Sequence, residues 1–287
     1  MKADTLTAYF KAHRILAIVL MAVALVLLTL LLANRLPPGI DWNYYFQPAA
    51  LKLLMFQSPY DIWGFPSPPW ALLPMLPFAI LPQALSRAGW FVLSLGMFAW
   101  GIYRLGAKPI ALAAFVGSPL IMHSLLNANI DWMVVFGFSL PPQLGLFFIS
   151  VKPQMGSVVA LFWLAEAWRK GRAREVVRVF APFTVALLVS FVLFGFYPLE
   201  WVSVEVVQWW NASLWPMSIP IGLTLAVAAL YRRKIQFAMA ASPLLSPYVL
   251  FHAYSGALAA LASYTVEMVA AVIGLWILVL MRGLQLG

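Results

Sequence analysis

The segment GIDWNYYFQPAALKLLMFQSPY, Gly39 to Tyr60, sets one carboxylate, Asp41, among Trp42, Tyr44, Tyr45 and Phe46 just past a long apolar run. Apolar surroundings disfavour the charged form of a carboxyl group and raise its pKa, which suits Asp41 to act as a general base toward a hydroxyl. Tyr44 and Tyr45 are then candidates for orienting a substrate. An aspartate here can equally cap the short amphipathic helix that follows.

Two more positions could do chemistry. Lys152, in FFISVKPQMG, interrupts an apolar stretch and is followed at once by Pro153. A lysine so placed faces a cavity or an anion such as a phosphate, or snorkels from a helix end. His252, in SPYVLFHAYSG, lies about 18 residues past the basic YRRK (231–234), far enough at ~1.5 Å per residue to bring it to the same membrane face as Asp41. It reads either as a ligand-orienting imidazole or as a packing residue. His123 has no acidic or histidine neighbour at i±4, and reads as packing. The chain lacks cysteine, which removes disulfides, thiolate metal sites and cysteine nucleophiles.

The elements that must position these groups are membrane helices. Hydrophobic residues make up 64% of the 287 positions and charged residues only 9%, well below the ~25% usual in soluble domains. Ile15 to Ala33 is long enough to span a hydrocarbon core of ~30 Å and reads as an uncleaved first helix. Further apolar stretches fall at 70–85, 89–106, 109–126, 132–150, 154–168, 177–197, 217–231, 235–256 and 262–281, which predicts about ten crossings and both termini on one side. WRKGRARE (168–175) and YRRK mark that side as cytoplasmic. The net charge of +9 sits in short clusters at the ends of apolar runs, a pattern of membrane topology that does not call for nucleic acid.

On that count Asp4, Asp131, Glu166 and Glu175 fall near the cytoplasmic face, and Asp41, Asp61, Glu200, Glu205 and Glu267 near the external one. Arg35, Lys52, Arg104, Lys108 and Lys152 form an external cationic set. A re-entrant ALLPMLPFAILP would instead move Arg104 and Lys108 inside. The external loops are 34–69 and 198–216, within a single integral membrane domain over 1–287. The second loop carries Trp201, Trp209, Trp210 and Trp215, a headgroup belt that could also stack sugars, and Asn211-Ala-Ser213, a weak match to a glycosylation acceptor.

Taken in order, several stretches resemble one family. GIDWNYYFQPAALKLLMFQSPYD is similar to the first external loop of the GT-C glycosyltransferases, in particular the polyprenol-phosphate-mannose-dependent mannosyltransferases of glycosyltransferase family 87. FPSPPWALLPMLPFAILP resembles the family's proline-rich helix, LLNANID its asparagine-containing segment, and FISVKPQMGSVVALFWLAEAWRKGRAR its K-P-Q stretch and basic loop. The similarity covers 36–175 and fades beyond.

The resemblance implies an all-α polytopic bundle with short amphipathic helices in its external loops. It implies transfer of a mannose-like sugar, with inversion, from a polyprenyl-phosphate donor to a lipid or polysaccharide acceptor at the non-cytoplasmic face of the cytoplasmic membrane. Asp41 takes the place of the base, Lys152 with Arg104 or Lys108 that of the donor-phosphate ligands, and no cofactor beyond the lipid-linked donor is needed. The composition also allows a non-catalytic lipid or glycolipid transporter, or a structural membrane subunit.

Overall fold

The computed structural model describes residues 3–65, 67–199 and 210–285, which are all-helical with no strand among them. Helix α1 (Ala3–Leu32) is followed by a π-helical turn (Trp42–Phe46), α2 (Gln47–Leu54), α3 (Leu76–Ala79), α4 (Gln83–Arg104), α5 (Pro109–Val116) and α6 (Pro119–Asn127). Then come α7 (Asp131–Gly137), α8 (Pro142–Ile149), α9 (Pro153–Phe194), α10 (Ile219–Arg232), α11 (Ile235–Leu244), α12 (Ser255–Ala259) and α13 (Thr265–Gln285). Among the described residues four helices, Ile15–Leu32, Gln83–Arg104, Pro153–Phe194 and Thr265–Leu284, are long and apolar enough to cross a membrane; α5 and α6, bent by 52°, make a fifth if counted as one span. From Ile15 to Leu32 the large exposed side chains of α1 are leucine, isoleucine, valine and one methionine, as a lipid-facing helix requires.

Four of the ten apolar stretches are not continuous helices: 109–126 is bent between α5 and α6, 235–256 is helical only to Leu244 before a 3₁₀ turn, and two depart further. Residues 70–85 fold as a 3₁₀ turn (Pro69–Met75) followed by the four-residue α3, because prolines at 74, 77 and 82 remove amide donors. Trp70 anchors this stretch through its indole N–H to the Phe147 carbonyl at 2.9 Å. Residues 132–150 form a hairpin of α7 and α8, 7 and 8 residues long, or only about 10 and 12 Å. Glycines let its limbs touch: a Cβ on Gly145 would stand 2.8 Å from the Gly137 carbonyl oxygen. Its two ends meet, since Lys152 Nζ lies 2.5 Å from Asp131 Oδ1. The segment therefore enters the bundle and returns.

Helix α9 breaks at Gly171 and Arg172, whose backbone is not helical, Arg172 having φ 52°. The residues on either side line one cavity, Pro153 to Ala160 facing Phe180 to Phe191, so its two limbs run antiparallel. At the tip Glu166 pairs with Arg169 and, in a two-pronged contact, with Arg233 of the α10–α11 turn. This is the basic end of the bundle.

Candidate functional site

At the opposite end, the carboxyl terminus of α6 is closed by backbone bonds from Asn129 N to Ser124 O (2.9 Å) and from Ala128 N to Leu125 O (3.1 Å). Ala128 takes the left-handed conformation, φ 61°, usually filled by glycine. The last carbonyls of α6 are met from α4: Arg87 Nη2 donates to Leu125 O and Leu126 O, each at 2.8 Å, and Trp90 Nε1 donates to Ala128 O at 3.2 Å. A cation at a helix C-terminus also meets the negative end of the helix dipole. Gly39 packs on this assembly so closely that a Cβ there would lie 2.5 Å from Arg87 Nε and 2.8 Å from Ala128 Cβ. That approach carries the loop after α1 across the α6 terminus. Trp42 continues it, stacking on Trp90 at 5.2 Å and donating to Ser86 Oγ at 3.1 Å.

The result is that Asp41 reaches Asn129. The Asn129 Nδ2 donates to Asp41 Oδ2 and also lies 3.5 Å from His252 Nε2, while Asn129 Oδ1 accepts from Ile130 N at 2.7 Å. His252 Nδ1 bonds Asp131 Oδ2, and the other oxygen of Asp131 holds Lys152. Asp131 is wholly buried, His252 and Lys152 nearly so. His123 stacks on His252 with ring centroids 5.3 Å apart. Five side chains from the loop after α1, the α6–α7 turn, the residue before α9 and the turn after α11 thus form one connected polar cluster. Burial is the main influence on Asp41 and pushes its carboxyl above the ordinary range, against the pull of Lys152, His252 and the Asn129 bond. Tyr248 lies close enough for the charge on Asp41 to add to burial in raising its phenol.

No family model, curated protein or solved structure matches the chain.

Of the residues expected at a site, the structure brings Asp41, Lys152 and His252 together. Tyr45 is half-buried near Tyr248, but Tyr44 is 69% exposed. Arg104 and Lys108 do not join the cluster. Arg104 is 17 positions along α4 from Arg87, roughly 25 Å away. The adjoining Leu105 shares a small cavity with Ile235 and Gln236, next to the basic turn Arg232–Lys234. Arg104 and Lys108 are exposed there, at the end of the bundle that carries the basic turn and away from Asp41. Asp131, expected at the cytoplasmic face, belongs instead with Asp41. The sequence count takes 70–85 and 132–150 as crossings, whereas the first folds as a 3₁₀ turn with a four-residue helix and the second as a hairpin.

Sequence reasoning named neither Asn129 nor Tyr248 as a site residue, and read His123 as packing. The signal available was LLNANID itself, where three polar side chains fall within five residues of an otherwise apolar region. Of the second expected loop, Glu200, Trp201, Glu205 and Trp209 lie outside the described residues. Asn211 is a clamp, its side chain accepting from Val249 N and Ser213 N and donating to Pro247 O, which ties this loop to the segment leading to His252.

One further feature lies beside the chain neighbours of Lys152. A cavity of about 340 Å³ lies between the limbs of α9 and the proline-rich stretch, its wall almost wholly apolar and including Trp70, Ile149, Phe183 and Tyr197. Ser150 and Pro153, on either side of Lys152 in the chain, line it too. Among the described residues no group of three or more histidine, aspartate or glutamate side chains is arranged to hold a metal ion.

Proposed function

We propose that the chain is a membrane glycosyltransferase that moves a sugar, mannose-like by its resemblance, from a polyprenyl-phosphate donor to a hydroxyl of a lipid or polysaccharide acceptor. The observation that carries this reading is the convergence of Asp41, Lys152 and His252, from segments about 100 residues apart, on one buried cluster, with an apolar cavity beside the chain neighbours of Lys152. The acceptor hydroxyl gives its proton to Asp41 while its oxygen bonds the anomeric carbon. The bond from that carbon to the phosphate oxygen breaks with inversion, and polyprenyl phosphate leaves with the electron pair. Lys152 is the group on hand to meet the developing phosphate charge. It is already paired with Asp131, so the donor competes for its ammonium, and His252 on the other oxygen keeps Asp131 from being left alone when Lys152 turns. The apolar cavity suits the first units of the prenyl chain.

The arrangement of the ends belongs to the same proposal. With WRKGRARE and YRRK cytoplasmic, the Asp41 cluster lies at the external face and Arg104 and Lys108 inside. Ser263 and Leu105 line one small cavity, and Trp276 of α13 donates to Gly117 O at 3.0 Å beside α5. Helix α13 then leaves the basic end and runs outward, so the C-terminus is external, in place of the shared cytoplasmic side that ten crossings give.

Transfer from a radiolabelled polyprenyl-phosphate sugar tests the chemistry. Asp41→Asn keeps the size and an oxygen for Asn129 but removes the base, so turnover falls by ~10²- to 10⁴-fold while donor binding persists. Asp61→Asn is the control, because Asp61 is half-exposed and pairs only loosely with Lys52, at 3.6 Å. Near-normal turnover in Asp41→Asn overturns the mechanism. Donor binding by the wild-type chain with no transfer to any acceptor favours the transporter.

A further inference from the structure

Asn129 is the one member of the cluster that cannot ionise, and it stands between the base and the histidine. Its backbone is fixed by the turn that ends α6, with its N–H on Ser124 O at 2.9 Å. Its side-chain orientation is fixed as well. The Oδ1 accepts from Ile130 N at 2.7 Å, and turning the amide over would orphan a buried N–H. The two hydrogens of Nδ2 must therefore point the other way, one to Asp41 Oδ2 and one toward His252 Nε2. A donor facing Nε2 suits that nitrogen as an acceptor, while Nδ1 is engaged with Asp131.

We propose that Asn129 is the positioning residue for the general base: it reserves Asp41 Oδ1 for the acceptor hydroxyl by occupying Oδ2, favours the ionised carboxylate by donating to it, and insulates that carboxylate from His252. This rests on the assignment of Asp41 as base. A carboxamide neither takes up nor releases a proton at ordinary pH, so the proton that Asp41 receives does not pass through Asn129 to the imidazole. It stays on Asp41 until it is lost to solvent on the acceptor side. His252 and Asp131 then serve the phosphate half of the site, and the two halves share a scaffold without sharing a proton.

The charged and titratable groups that act on Asp41 are Lys152, His252 and Asp131, with Tyr248 and Tyr45 nearby. Removing a hydrogen bond to the ionised form raises the pKa of Asp41, so the rate needs a higher pH to reach its plateau. Asn129→Ala is expected to lower kcat at pH 7 by about 10- to 100-fold, to leave the KM for donor within about 2-fold, and to recover turnover as pH rises. Asn129→Asp retains an acceptor for Ile130 N and turns its second oxygen on Asp41, which moves the acidic limb further still.

A readout that does not depend on turnover is the infrared band of the protonated carboxyl that disappears in Asp41→Asn. Titrated in lipid, its midpoint should move to higher pH in Asn129→Ala and further in Asn129→Asp. An unchanged midpoint in Asn129→Asp overturns the proposal, as does an Asn129→Ala enzyme whose kcat loss is the same at every pH and tracks a loss of thermal stability. If Asp41→Asn proves active, the base assignment fails by itself, and the band titration still judges whether Asn129 controls the carboxylate.

Discussion

The pair Asp131–Lys152 closes the hairpin, and its energetic role can be worked from its surroundings. Both groups are buried, with side-chain exposures of 0% and 10%, and their atoms meet at 2.5 Å. Asp131→Asn leaves the Lys152 ammonium without a counter-charge, and breaking such a pair from one side costs about 3–5 kcal/mol. Lys152→Met should cost less, about 1–3 kcal/mol, because Asp131 keeps the His252 bond. In the double variant no charge is stranded. What remains is a weakened His252 contact, so the double should cost only about 1–2 kcal/mol, well short of the sum of the singles. The assay is reversible unfolding in lipid-like micelles for all four proteins, with folding of each confirmed by circular dichroism. Additive single costs would refute the reasoning, since they would mean that the two charges are solvated separately and the hairpin ends are not held by their attraction.

Three other outcomes follow from the geometry. In this cysteine-free chain, single cysteines at Arg104 and Arg233 should be labelled from one side of the membrane and one at Phe56 from the other; labelling of Arg104 and Phe56 from the same side would restore a crossing at 70–85. Gly39→Ala places a Cβ 2.5 Å from Arg87 Nε, so it should push the Asp41 loop off the α6 terminus and reduce transfer far more than donor binding, read as a split between kcat and KM. Ala128→Gly relieves a left-handed alanine at φ 61° and should stabilise the protein by about 0.5–1 kcal/mol, seen as a raised melting temperature with transfer unchanged.

The chemistry-bearing residues were legible because charge is so rare in this chain. A carboxylate wrapped in aromatics, a lysine before proline in an apolar run and a histidine at the right depth each stand out, and the structure gathers all three. What stayed hidden was the path between them. The run 132–150 has the length and hydropathy of a span, and its Pro141-Pro142 can open a helix as readily as interrupt one, so composition does not show the return at residues 138–141. Only the close packing of Gly137 and Gly145 does, and that is a tertiary fact. The partner of Lys152 was obscured for the same reason, since Asp131 lies 21 positions away at what looks like the far end of a helix.

The hairpin also constrains how the protein is made. As the chain emerges, α7 and α8 are too short to be retained as spans, and each end carries a group whose isolated insertion costs about 2.5–3.5 kcal/mol. Paired, the two ends present no net charge to the bilayer, so the segment enters as a closed unit, and it can do so only once α4 and the first limb of α9 stand as walls to receive it. His252, more than a hundred residues later, completes the set. The polar cluster therefore closes only when the segment after α11 is in place, so its completion depends on chain that emerges after most of the bundle.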